Sequence, residues 1–158
     1  MKYLSLLILT TFLLGCSPGD KENDLDKENL FGNVKSVKTL HFEATDKFGE
    51  IVKGERKYKR YSARLLSMYN DKGLLIEEID LDSNLQSKST YLYDDKGNRV
   101  ESNRYDSDGI DLKWTYLYDD KGNQVEANRY DSDGSLDSKS TYLYDDKGNQ
   151  VEANRYDS

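Results

Sequence analysis

The sequence predicts an all-β protein, a repetitive antiparallel meander of hairpins forming a curved, largely single-layer sheet. Three observations predict it. The segments YLYDDKGNRVESNRYDSDG, YLYDDKGNQVEANRYDSDG and YLYDDKGNQVEANRYDS start at Tyr91, Tyr116 and Tyr142, so they lie 25 and then 26 residues apart, the spacing of a stacked repeat array. Turn chemistry recurs every 12 to 14 residues, at Asp94, Asp106, Asp119, Asp131 and Asp145, which leaves room for one strand between turns. The residues between turns alternate in the period of a strand: Ile110, Leu112, Trp114, Tyr116 and Tyr118 share one face, and Asp111, Lys113, Thr115 and Leu117 the other.

At the N-terminal side, residues 1–15 read as a signal peptide. Lys2 supplies one positive charge and an apolar run follows from Leu4 to Leu14. That run is too short to span a bilayer, which takes about 20 residues, and suits a secretory leader. Leu13-Leu14-Gly15-Cys16 resembles the lipobox of bacterial lipoproteins, with Leu14 where Ala, Ser or Thr is more usual. The resemblance implies cleavage after Gly15 and a lipid on Cys16, the chain's only cysteine, so the membrane partner is reached through Cys16 and the location is the bacterial cell envelope. With no second cysteine there is no intramolecular disulfide.

Residues 16–30 follow as a lipidated, flexible tether, because the charged run from Ser17 to Leu30 has little apolar surface to offset its ordering entropy. The formal charge of −7 disfavours nucleic acid as a partner. Leu, Ile, Val and Phe make up only 27 of the 143 residues from Cys16 on, a level near that of disordered chains. The twelve tyrosines of the same stretch, regularly spaced, favour strands of a half-covered sheet instead.

Tyr93–Asn98, Tyr118–Asn123 and Tyr144–Asn149 each place Asp at the first turn position and Gly at the fourth, the pattern of a type I turn followed by a glycine bulge. Tyr105–Gly109 and Tyr130–Gly134 read as a second version. Upstream, Tyr69–Gly73 matches the first version. Residues 31–68 read as a divergent hairpin cap around Thr45–Gly49, with Phe31, Val34, Val37, Leu40 and Phe42 expected to plug the end of the stack. Residues 69–158 read as the array itself.

Tyr-Asp-x-x-Gly with a following Asn, strongest at Tyr93–Asn98, Tyr118–Asn123 and Tyr144–Asn149, resembles the YD repeats of the Rhs family. The resemblance covers Tyr69 to Ser158 and implies a curling β-sheet shell. It says little about function, because repeats of this kind build a scaffold.

No catalytic residue, cofactor or metal is expected. His41 is the only histidine and sits in a strand-like run; Cys16 is assigned to the lipid; and no Cys or His cluster suits zinc. Asp106–Gly109 and Asp131–Gly134 share their spacing with part of a calcium loop, but Arg104 or Arg129 stands where the loop should open and the closing Glu is missing. The expected function is therefore a non-catalytic binding or scaffolding module. The expected ligand surface is the aromatic stripe Tyr91, Tyr93, Trp114, Tyr116, Tyr118, Tyr142 and Tyr144, facing a protein or a glycan. A carbohydrate-binding surface protein is the first alternative and a carboxylate-dependent polysaccharide hydrolase the second. Strand Gln150–Tyr156 is expected at the sheet's edge, where Glu152 and Arg155 hold self-association to a weak level at most.

Overall fold

The computed structural model describes residues 22–56, 65–81 and 87–158. The signal peptide, Cys16 and the first part of the expected tether lie outside the described residues.

The described chain opens on a short helix, α1 (Asp24–Lys27). Asn23 Oδ1 accepts the Asp26 N–H at 3.0 Å and the Asp26 carboxylate accepts the Asn23 N–H at 3.2 Å, a reciprocal cap that satisfies two donors left orphaned at a helix start. The Leu25 side chain is buried, at 5% exposure. The Leu25 N–H donates to the Gly73 carbonyl at 3.2 Å, and Asp24 Oδ2 accepts the Leu75 N–H at 2.9 Å. Within the tether expected over residues 16–30, Asp24 and Leu25 are thus bonded to the sheet, while Asp26–Asn29 are exposed. One leucine and a cap suffice, because the partner surface is supplied by a distant hairpin.

Eleven strands follow among the described residues: β1 (Ser36–Thr39), β2 (Phe42–Lys47), β3 (Glu50–Arg56), β4 (Leu65–Tyr69), β5 (Leu75–Asp80), β6 (Lys88–Tyr93), β7 (Arg99–Asp106), β8 (Gly109–Tyr118), β9 (Gln124–Tyr130), β10 (Leu136–Tyr144) and β11 (Gln150–Asp157). Nine of them form one open antiparallel sheet in the order β1-β4-β5-β6-β7-β8-β9-β10-β11, and β2 pairs only with β3. The all-β meander is thus observed, with its last strand, β11, at an edge. The sheet begins before residue 69, since β1 and β4 belong to it. Of the expected cap only the β2–β3 hairpin stands apart. Phe31 is 81% exposed and Leu40 40%, so the apolar plug does not form, and Phe42 lies beneath the Lys53 ammonium, 3.6 Å from its ring centre. The hairpin turns through Phe48 and Gly49, both at positive φ, 58° and 89°, the pattern of a type I′ turn.

The repeat turns follow their sequence closely. In the turns from Asp94, Asp119 and Asp145 the Asp carbonyl accepts the Gly N–H at 3.0 Å, and Gly97, Gly122 and Gly148 have φ of 81°, 85° and 82°. Each Asp also holds the Asn four residues on twice. Asp119 accepts the Asn123 backbone N–H at 2.8 Å and its side-chain amide at 2.9 Å, and Asp94–Asn98 and Asp145–Asn149 repeat the arrangement. After every such turn the next strand carries one extra residue. Leu117 faces Glu126 and Tyr118 faces Gln124, so Val125 is the bulge; Val100 and Val151 take the same place.

The two Asp-Ser-Asp-Gly turns differ from one another. Asp106 faces Gly109 directly and Gly109 has φ 125°, whereas Asp131 N–H donates to the Ser135 carbonyl at 3.0 Å and Gly134 has φ 82°. Ser135 has no counterpart after Gly109, and this one residue is the difference between the periods of 25 and 26. Beyond both turns the register skips a residue, Asp111 or Asp137. Strict alternation from Ile110 to Tyr118 therefore holds only from Leu112. Ile110 leaves the shared face because the bulge shifts its frame.

Consecutive repeats are joined by the same two contacts at each interface. On one face, Lys88, Lys113 and Lys139 pair with Glu77, Glu101 and Glu126 at 3.4, 2.8 and 2.6 Å. At the strand ends, Tyr93, Tyr118 and Tyr144 donate their hydroxyls to the carbonyls of Leu75, Arg99 and Gln124 at 2.8 to 2.9 Å. Leu25 and Tyr69 are the buried apolar residues among those described. The sheet is therefore held by many cross-strand pairs, each contributing about 0.2–1 kcal/mol, and not by a thick core.

Candidate functional site: a trough on the tyrosine face

Tyr-x-Tyr places two rings on one side of each strand, because side chains alternate with a period of two. The outer ring of each pair, at Tyr93, Tyr118 and Tyr144, spends its hydroxyl on the preceding repeat's carbonyl. The inner ring of the first pair, Tyr91, donates to Glu78 at 2.8 Å. Burial, with the Glu78 contact, pushes the Tyr91 phenol up to about 12, so it stays protonated and keeps donating. The residues aligned with Glu78 in the next repeats are Ser102 and Ala127, and the Tyr116 hydroxyl has no hydrogen-bond partner among the described residues. The hydroxyls of Tyr91, Tyr93, Tyr118 and Tyr144 are thus occupied within the sheet.

Arg99 breaks the pattern. It stands where the later copies have Gln124 and Gln150, at the bulge that sets it opposite Tyr93. Its guanidinium lies 4.2 Å from the centre of the Tyr91 ring and 5.7 Å from that of Tyr93, within range of a cation–π attraction. One nitrogen donates to the Tyr93 hydroxyl at 3.3 Å. Burial alone would lower the Arg99 pKa; the Tyr93 bond and the neighbouring Tyr91 and Asp24 outweigh it and hold the cation. Asp24 completes the corner. Its carboxyl sits 3.2 Å from the Tyr93 hydroxyl, and although burial would raise its pKa, the Leu75 N–H and Lys27 bring it below the ordinary value.

These groups wall an open trough of about 1110 Å³ between α1 and the row of turns. Tyr93, Arg99, Tyr116 and Tyr118 form its aromatic floor, and Lys96, Lys121, Asp24 and Asp120 interleave both signs of charge along its sides. Of the seven aromatic residues in the expected stripe, Tyr93, Tyr116 and Tyr118 line the trough, and Tyr91 lies under Arg99. Trp114 faces Ser102 and Arg129; it, Tyr142 and Tyr144 are not among the trough's lining residues. Arg99 and Asp24 were not among the expected site residues. The signal for Arg99 in the sequence is its departure from the repeat, where the later copies have Gln124 and Gln150. For Asp24 the only trace was the Asn23…Asp26 spacing of a helix cap.

The acidic turn residues act on the backbone. Asp106 Oδ1 accepts the Asp108 N–H, and Asp133 Oδ1 the Ser135 N–H, at 2.9 and 2.8 Å. Among the described residues no group of three or more His, Cys, Asp or Glu is placed to hold a metal ion, and no helix is long and apolar enough to cross a membrane. Compared against models of known protein families, the chain matches none, and no curated protein matches it.

Proposed function

We propose that this chain is a lipid-anchored bacterial envelope protein, held through Cys16, whose YD-like repeat sheet is a non-catalytic binding or scaffolding module with its ligand in the tyrosine-face trough. The observation that carries the reading is Arg99. A repeat that only needed to stack is served by glutamine at this position, as Gln124 serves β9. Here a half-buried cation lies against two rings and lines a trough of a size that takes a small-molecule or short-chain ligand. The mixture of aromatic floor, both charge signs and a spare Tyr116 hydroxyl favours a neutral, hydroxyl-rich ligand over a polyanion. This supports the carbohydrate reading as the more specific form of the proposal.

Arg99→Gln installs the residue that the other copies already accommodate, so the sheet keeps its fold while the trough loses its cation. Glycan-array binding and envelope pull-down by the full chain are expected, and both drop in the variant. A variant that binds the same ligands with unchanged strength places the ligand elsewhere. For the anchor, Cys16→Ser is expected to abolish metabolic labelling with an acyl chain; retained label refutes it.

A further inference from the structure

The first hairpin of the array carries an occupant of its own. α1 lies against it, where the Leu25 N–H donates to the Gly73 carbonyl at 3.2 Å. One oxygen of the Asp24 carboxylate, Oδ2, accepts the Leu75 N–H at 2.9 Å and the Tyr93 hydroxyl at 3.2 Å. The station thus offers a glycine carbonyl and a backbone N–H, and α1 fills it with a nitrogen donor and an acceptor oxygen. The Leu75 N–H is open to such a partner because the β5–β6 ladder stops short of it, at Glu77 and Thr90.

The next two repeats build the same station. Arg99 and Gln124 face Tyr93 and Tyr118 as Leu75 faces Tyr69. Their carbonyls take the Tyr118 and Tyr144 hydroxyls as that of Leu75 takes Tyr93. Their ladders stop at the matching place, at Glu101–Thr115 and Glu126–Thr141. Gly73, Gly97 and Gly122 share a positive φ of 74°, 81° and 85°, so each turn presents its glycine carbonyl alike. What differs is the cover. A Cβ on Gly73 would meet Asn23 at 2.9 Å, whereas among the described residues one on Gly97 would meet only Leu74, at 3.9 Å. Gly97, Arg99, Gly122 and Gln124 all line the open trough.

We propose that the station at Gly97 and Arg99 binds an N-acetylated amino sugar, as one unit of a short oligosaccharide lying in the trough. The proposal rests on the trough as the ligand site and names the class of sugar it takes. The acetamido N–H donates to the Gly97 carbonyl, as the Leu25 N–H does to Gly73. A neighbouring sugar hydroxyl oxygen accepts the Arg99 N–H, in the place that Asp24 takes at Leu75. The acetamido carbonyl, directed away from its own N–H, accepts the Tyr116 hydroxyl, which has no other partner among the described residues. A plain sugar offers hydroxyls here but no amide carbonyl. Acidic and basic side chains balance one for one along the trough, so its lining draws neither a free amino sugar nor a sugar acid by net charge.

The test is calorimetric titration of the full chain in detergent with chitotetraose, its fully deacetylated form and cellotetraose. Chitotetraose is expected to bind about tenfold tighter than cellotetraose, the worth of one or two net hydrogen bonds. In the isotope-labelled chain the Arg99 backbone amide resonance should shift on binding, while that of Leu75, held by Asp24, stays in place. Equal affinity for chitotetraose and cellotetraose, both weakened by Arg99→Gln, overturns the acetamido assignment and leaves the trough as the site. Binding of either sugar that Arg99→Gln leaves unchanged removes the trough, and this proposal with it. No saturable binding of chitotetraose, or tighter binding of the deacetylated form, overturns the proposal as well. So does a complex in which the Leu75 amide moves and that of Arg99 does not.

Discussion

Leu25 is the residue on which the trough's wall depends. It is one of two buried apolar side chains among the described residues, and it sits in a helix of four residues, far too short to persist alone. Its contact with the first repeat turn therefore holds α1, and with it Asp24, against Tyr93. Leu25→Ala is expected to destabilise this docking by about 2 kcal/mol, the low end for a buried leucine, and to free residues 22–30. Limited proteolysis should then cut within α1 while the array stays intact. Equal protection of wild type and variant would mean that the cap and Asp24, not Leu25, hold the segment. Arg99 illustrates a different dependence. Its position follows from the bulge at Val100, which turns it toward the rings, so its role belongs to the hairpin as much as to the residue.

Among elements, the two Asp-Ser-Asp-Gly turns show how one residue is absorbed. With Ser135 present the turn closes on the Ser135 carbonyl; without its counterpart, Asp106 pairs directly with Gly109. Both routes deliver the following strand in a register that keeps Lys113 and Lys139 on Glu101 and Glu126. Deleting Ser135 is accordingly expected to convert the second turn into the first and leave the sheet paired. The loss of stability should stay within about 1 kcal/mol, because loop length alone changes closure entropy slowly. Strand-pairing NOEs between β9 and β10 check it. A shift of those pairs by one residue would contradict the expectation, since it would move the β10 side chains to the other face.

At the scale of the whole molecule, carboxylate contacts contribute to stability beside an apolar core that is small among the described residues. Glu101 is held below the ordinary glutamate range by Lys113 and then by Asn103, and Glu126 likewise by Lys139 and Asn128. Asn123 and Asn149 lower the pKa of Asp119 and Asp145 in the same direction. A carboxylate whose folded pKa lies below its unfolded one stabilises the fold fully above the unfolded value, about 4, and loses that contribution as the pH falls through the folded value. The melting temperature is therefore expected to stay level from pH 7 to about 5 and to fall between about 4 and 2, less steeply in Glu101→Gln/Glu126→Gln. A melting temperature that holds to pH 2 would show that these bonds are not what keeps the sheet together.

The local parts of this architecture were determined by the sequence itself. A turn of Asp-x-x-Gly closes within four residues and a strand alternates residue by residue, so both are legible wherever they occur, and the copies from Tyr91, Tyr116 and Tyr142 repeat the same instruction. The open meander and its positive-φ glycines follow from that local physics. What only the tertiary structure decided depends on residues far apart in the chain. Asp24 and Leu25 meet Leu75, Gly73 and Tyr93, which turned an expected tether into a wall. β1 joins β4 while β2 and β3 stand apart, which removed the expected plug. Tyr118 reaches the Arg99 carbonyl and Arg99 covers Tyr91, which made a trough from a stripe. No periodicity encodes such contacts, because each exists only once the strands between them have paired and set the distance.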